Sequence, residues 1–254
     1  MKRIATFLLL FLISCTSPDD YSRIKVIQVI DGDTIKLANG KLLRYIGIYT
    51  PEVRIKKQNR FVYAPQPYAI EAKELNKKLV ENKFVKVEFD VEKTDVYGRL
   101  LGYCFVGNTF INTKLLGEGY AVLYTMPPNV KYVDAFIEAQ KNARTARRGL
   151  WGAYEVIEYN QAGHYLNQIR TVRGQVKRAR QTKRCIFLGF GDNPKNDFTA
   201  TIFKNSLPLF QNKGINPLTY YKDKTVEVTG RIKQYYGPEI IVNAPTDIQI
   251  VDEK

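Results

Sequence analysis

Histidine is nearly missing from this sequence: its 254 residues contain one, His164, with three cysteines, two methionines and one tryptophan. A single histidine and no cysteine pair at ligand spacing leave little from which to build a zinc centre or a Ser-His-Asp triad. Cys104 and Cys185 lie in separate strand-like apolar runs and read as buried free thiols rather than as a disulfide. Long apolar runs are also lacking, since the stretch Ile4 to Ile13 is too short to span a bilayer. Acidic residues are scarce, with 25 Asp and Glu against 39 Lys and Arg and a net charge of +14. Such a surplus favours a polyanionic partner, either nucleic acid or an acidic membrane surface, and charge alone does not choose between them. Any chemistry must therefore use carboxylates, arginines and a hard cation.

What is present begins with Lys2 and Arg3 ahead of that apolar run, which fits the hydrophobic region of a signal peptide. The following Leu12-Ile13-Ser14-Cys15 resembles the lipobox of bacterial lipoproteins. That resemblance implies cleavage before Cys15, lipidation of its sulfur and anchoring to a membrane of the cell envelope, each buried CH₂ contributing about 0.8 kcal/mol. Thr16, rather than aspartate, follows the cysteine, which favours the outer membrane where the source has two.

The organisation expected is a signal peptide over 1–14, a tether over 15–22, a first domain over 23–152, a linker over 153–170 and a second domain over 171–254. In the first domain, alternating apolar residues around Asp31-Gly32-Asp33 and Asn39-Gly40 predict three strands joined by hairpins. A basic loop from Arg54 to Arg60 leads to Pro67, taken as a first helical position, and Ala69, Ile70, Ala72, Leu75, Leu79 and Val80 follow at helical spacing. Two more strands flank the turn Thr94 to Arg99, then a short helix near Ile111 to Leu116 and a longer one from about Tyr132 to Arg148. The second domain reads as three strands, a helix-like insert and two strands, the order of a five-stranded OB barrel.

The chemistry-bearing residues of the first domain fall at strand ends and turns: Asp31, Asp33, Arg44, Thr50, Glu52, Asp95, Tyr97 and Arg99. Two arginines can clamp a phosphodiester, because a guanidinium presents several donors in a planar fork. A glutamate can take a proton from an attacking water. Carboxylates such as Asp31 and Asp33 prefer a hard, oxygen-binding cation. Each motif alone is also an ordinary turn.

Together and in order, "VIDGDTIKL", "LRYIGIYTPE", "TDVYGRLLGY" and "ARRGLWG" resemble the staphylococcal nuclease (thermonuclease) family over about residues 24 to 152. The resemblance implies an α+β fold that is mainly β, an OB-type five-stranded barrel with three helices, and calcium-dependent hydrolysis of DNA and RNA. It carries over Asp33 as a metal ligand, Thr50 as a ligand through its carbonyl and Asp31 as their outer-shell neighbour. Arg44 and Arg99 become phosphate clamps, Glu52 the general base, and Tyr97 a neighbour of the nucleotide. Tyr49 departs from the pattern, for the family usually places a second aspartate ligand there. A phenol in its place implies a weakened Ca²⁺ site, since calcium affinity follows ligand charge and count.

The second domain resembles the OB-like module that follows a nuclease domain in some bacterial proteins, through the looser motifs "FGD", "NDFT" and "VTGRI". Arg173, Lys177, Arg178 and Arg180, with Lys183 and Arg184, gather on its first hairpin near Phe187, Phe190 and Phe198. Basic residues among aromatics suit a groove for single-stranded nucleic acid; the same residues also suit a solvated face over an aromatic core. The reading is a monomeric, lipid-anchored, sugar-nonspecific nuclease that prefers single strands. Its rival is a non-catalytic nucleic-acid-binding module that lost its metal through Tyr49.

Overall fold

A computed structural model of the chain describes residues 20–251 other than 59, 154, 194 and 195. The expected signal segment and Cys15 lie outside the described residues. Ile24–Val29 turns at Asp31-Gly32-Asp33 into Thr34–Leu37, and that strand pairs with Leu42–Tyr45 after the Asn39-Gly40 turn. Gly40 has φ of +84°, the left-handed geometry such a turn requires. Phe84–Glu88 pairs with both Ile24–Val29 and Leu100–Val106, and Leu100–Val106 runs parallel to Leu42–Tyr45. That last pairing closes the sheet into a five-stranded barrel. Alternating residues Val26, Ile35, Leu37, Leu43, Val85 and Val87 fill it and are buried, as the period of two dictates.

Three helices cover the barrel: Ala69–Val80, Ile111–Gly117 and Val133–Thr145. The first buries Ala69, Ala72, Asn76 and Val80, the spacing of one helical face. It starts after Tyr68, whose φ is +67°, so Pro67 precedes the helix instead of opening it. The expected basic loop is in fact a hairpin, Arg54–Lys57 against Arg60–Tyr63. Phe61 and Tyr63 on it are exposed, and the strand Arg60–Tyr63, exposed throughout, offers no buried alternation to read.

The second unit repeats the pairing order. Ile169–Gln175 pairs with Thr225–Gln234, that strand with Pro238–Ile241, and Pro238–Ile241 runs parallel to Thr199–Phe203. Thr199–Phe203 then pairs with Cys185–Gly189, and Cys185–Gly189 with Arg178–Gln181. Because Arg178–Gln181 follows Ile169–Gln175 after only Val176 and Lys177, one bent stretch of chain supplies one end strand of the sheet and the strand next to its other end. Phe190, Phe198, Ile202, Val228 and Ile240 form its core. The expected linker contributes to this sheet: Val156–Glu158 pairs in parallel with Ile169–Gln175, and Tyr159–Tyr165 is a 3₁₀ helix. Three residues are too few for a periodicity to show. Cys104 and Cys185 are buried free thiols, as their apolar surroundings suggest.

A polar seam joins the two units. Gln140 of the helix Val133–Thr145 donates to Asp247 Oδ1 at 2.8 Å, and Arg144 donates to the Thr246 carbonyl at 3.0 Å. Asp247 is 3% exposed and also accepts from the N–H groups of Asn243 and Ala244 at 2.9 and 3.1 Å.

Candidate active site

The turn Asp31-Gly32-Asp33 folds on itself, with Asp33 N donating to Asp31 Oδ1 at 3.2 Å. The Asp33 carboxylate then accepts from Thr34 Oγ1 at 3.1 Å and from Thr50 N at 2.9 Å, and pairs with Arg44 Nη2 at 3.1 Å. Gly32 makes this closure possible, since a Cβ there would meet Thr50 Oγ1 at 2.7 Å. Arg44 lies on the strand Leu42–Tyr45, and its side chain is 13% exposed. Its other donors reach the carbonyls of Tyr45 and Ile48, each at 2.9 Å. The guanidinium is thus fixed before any ligand arrives.

Glu52 follows Thr50-Pro51 at the end of the short strand Gly47–Tyr49. Its N–H donates to Gln66 Oε1 at 2.9 Å, and Tyr49 OH donates to its carboxylate at 2.9 Å. Tyr49 is 5% exposed and packs with Val122, Leu150 and Ile169. Above its ring, at 4.8 Å, lies the guanidinium of Arg231, which comes from the second unit. Gln66 in turn donates to the carbonyl of Asn167 at 2.6 Å. Both supports of Glu52 therefore lead to the second unit. None of Gln66, Asn167 and Arg231 was marked by sequence reasoning. The "VTGRI" motif held Arg231 in view, but nothing local in it points to Tyr49.

Negative charge is crowded here. Burial, and then the neighbouring charge of Asp33, hold the Asp31 carboxyl well above the usual carboxylate range. The same two causes raise Glu52, against the opposing Tyr49 hydrogen bond and the Arg231 and Arg44 charges. Burial and the Glu52 charge keep Tyr49 a neutral phenol that donates. A hard cation would relieve this crowding, and the oxygen donors suit one. Among the described residues, however, no three acidic or other ligand side chains converge to hold a metal by themselves.

Arg99 stands just ahead of the strand Leu100–Val106, whose Leu101 is the register partner of Arg44. It pairs with Asp95 through Nε at 2.7 Å and lies 5.7 Å from the Tyr97 ring centre. Burial pushes the Asp95 pKa up, but the Arg99 side chain and the N–H groups of Arg99 and Tyr97 outweigh it and leave it lowered. Tyr97 is 82% exposed, free to meet a ligand.

The basic cluster of the second unit is differently placed. Arg173 pairs with Glu227 at 2.6 Å, Lys177 with Asp192 at 3.5 Å, and Arg178 donates to the carbonyls of Gly191 and Asp192 at 2.6 and 2.9 Å. Arg180 is exposed. Phe190 and Phe198 are fully buried and offer no stacking face, because they point into the barrel.

The sequence profile described as "Staphylococcal nuclease homologue" matches residues 42–153, which hold Arg44, Glu52 and Arg99. A thermonuclease of Staphylococcus hyicus is 41% identical over 130 residues, which are 50% of this chain and 74% of that protein. Endonuclease YncB of Bacillus subtilis is 41% identical over 129 residues, 49% of this chain and 59% of its own length. The prophage-derived endonuclease YokF of the same species is 40% identical over 129 residues, 49% of this chain and 42% of that one. With 41% identity over 74% of the Staphylococcus hyicus thermonuclease and the profile match over residues 42–153, the chain belongs to the staphylococcal nuclease family.

Proposed function

We propose that the protein is a nuclease that hydrolyses phosphodiester bonds of DNA and RNA without selecting the sugar. The observation that supports this reading most is the setting of Glu52, a carboxylate held by Tyr49 and near the buried pair of Arg44 and Asp33. Glu52 would take the proton from a water attacking phosphorus. Arg44 and Arg99 would bind the non-bridging oxygens and stabilise the charge that grows on them. Arg44 is already aligned by two backbone carbonyls, so little reorganisation remains. Tyr97, exposed beside Arg99, would pack on the nucleotide.

Calcium is the cofactor the family resemblance brings. Asp33 and the Thr50 carbonyl would hold it, with Asp31 further out, and when bound it would add positive charge beside the phosphate. Tyr49 supplies no anionic oxygen, so we assign this chain a weaker calcium site that substrate phosphate completes and that needs a higher calcium level, which Tyr49→Asp should lower. Digestion of labelled oligonucleotides across a calcium series tests the reading. Wild type should cleave, and Tyr49→Asp should shift the calcium level needed. A wild type that binds oligonucleotide but stays inert at every calcium level would make the protein a binder instead.

The division of the chain at about residues 153 to 170 and the OB-like role of the second unit in holding nucleic acid belong to the same proposal. So do lipidation at Cys15 and residence on an envelope membrane. No helix among the described residues is long and apolar enough to cross a membrane. Cys15→Ala should leave an unprocessed precursor or release the protein from the membrane fraction.

A further inference from the structure

Two adjoining cavities, of about 560 and 550 Å³, open on the second unit and share Lys183, Arg184 and Phe203 as lining residues. From this groove we infer a binding site for single-stranded nucleic acid, formed where the two units meet and distinct from the Arg173-to-Arg180 cluster. The inference rests on the nuclease reading only for the identity of what is cut.

Charge is the first support. Lys183, Arg184 and Lys204 are exposed and make no ion pair among the described residues. The one carboxylate lining either cavity, Glu239, accepts from Thr201 Oγ1 at 2.7 Å. Among the described residues the groove is therefore a cluster of cations without ion pairs, unlike Arg173, Lys177 and Arg178, which already have partners.

Aromatic placement is the second. Phe203 ends the strand Thr199–Phe203 on the face opposite the buried Ala200 and Ile202, and it is 42% exposed. Cys185 is its register partner and Phe187 is that of Thr201, so Phe187 and Phe203 share this outer face on neighbouring strands. Tyr235, 67% exposed, lines the same cavity. Flat apolar rings beside unpaired cations are what bases and phosphates together require, and a ring accepts any base. A purely acidic partner would use the cations and leave the rings wet.

Position is the third. The first unit supplies one wall through Tyr124 and Met126. Lys233 donates to Tyr124 OH at 3.2 Å, and the Tyr124 ring lies 6.0 Å from that of Tyr49, which holds Glu52. A strand lying in the groove thus passes two rings, Tyr124 and Tyr49, behind the candidate base.

The test is the fluorescence anisotropy of a labelled oligothymidylate of about 20 nucleotides with the full chain, calcium being chelated so that nothing is cut. Phe203→Ala should weaken binding at least about fivefold, and Phe203→Trp should retain it. Lys183→Ala with Arg184→Ala should lower the slope of log affinity against log salt by about 1.4, the sum for two single-strand phosphate contacts. A duplex of the same length should be indifferent to Phe203. Unchanged oligothymidylate binding in Phe203→Ala and in the double variant overturns the site. So does loss of binding to phosphatidylglycerol vesicles in its place, which would make the face a membrane surface. A wild type that binds through Phe203 yet never cleaves leaves the groove standing and removes the nuclease reading instead.

Discussion

The two barrels share a pairing order and differ in where they keep their polar side chains. In the first, Asp33, Thr50 and the Arg44 side chain are almost wholly buried at one end of the strands, bonded to one another and to backbone carbonyls. In the second, Lys183, Arg184 and Lys204 stand exposed on the outside. Buried charges in fixed positions suit chemistry, because they need not reorganise as charge develops. Exposed charges suit capture, because they can follow a flexible polyanion and release its counterions. The same topology can thus serve either role, the difference being set by whether a polar residue falls at a strand end that packs or on a face that does not.

The comparison is broken most severely at Glu52, the proposed base. Glu52→Gln should lower turnover by about 10² to 10⁴, and Arg99→Ala by about 10² to 10³, with the fold intact by circular dichroism. Arg99 is the cleaner of the two arginines to remove. Taking away Arg44 also leaves Asp33 buried without its charge partner. Single-turnover kinetics at saturating calcium measure this, and near-wild-type rates in both variants would move the chemistry elsewhere.

A smaller loss should come from across the seam. Tyr49→Phe removes one hydrogen bond to the Glu52 carboxylate, and Arg231→Ala removes the cation over the Tyr49 ring. Each should lower kcat about two- to tenfold, the worth of one net hydrogen bond. Both changes act on the same carboxylate, and Arg231 also touches the Tyr49 ring, so their effects should combine to something other than the product. Full multiplicativity would show that the two residues act on Glu52 independently.

The third prediction concerns pH. Burial pushes Asp247 up to about 6 against the hydrogen bonds from Asn243 and Gln140, whereas an unfolded aspartate titrates near 3.9. Between those two values the folded state binds the extra proton, so this group's contribution to stability falls as pH rises from about 4 to about 6 and is constant above. The span corresponds to about 2 to 3 kcal/mol. Relative to Asp247→Asn, wild type should therefore gain melting temperature as pH is lowered from 7 toward 4. A difference independent of pH would mean that Asp247 titrates normally.

The smallest effect is expected at Arg173. Its pair with Glu227 is partly exposed, so Arg173→Ala should cost less than about 1 kcal/mol in urea unfolding. It should also leave oligothymidylate binding near wild type, in contrast to Phe203→Ala.

Much of the first barrel was legible in the sequence. Asp-Gly-Asp and Asn-Gly mark hairpins by local turn chemistry, and apolar residues at helical spacing located Ala69–Val80, Ile111–Gly117 and Val133–Thr145 to within a few residues. The second unit's strands were equally readable, but the facing of its aromatics was not. Phe187 alternates with the buried Ile186 and Leu188 and is half-buried, whereas Phe190 and Phe198, outside the strands Cys185–Gly189 and Thr199–Phe203, are fully buried where the chain turns back into the core. The strand Val156–Glu158 escaped notice because three residues hold no period.

Tyr49 divides what the sequence determined from what tertiary structure decided. By itself the sequence determined the turns, the strand alternation and the presence of Arg44, Glu52 and Arg99, all of which follow from neighbours a few residues apart. It showed a phenol where the family pattern has a carboxylate, and read it as a loss. Closure of the two barrels and their polar seam decided what the phenol touches: Glu52 through its hydroxyl, Tyr124 at its edge and Arg231 over its face. Local propensity is a matter of one segment's backbone and solvent, whereas that contact exists only once the two units are packed together.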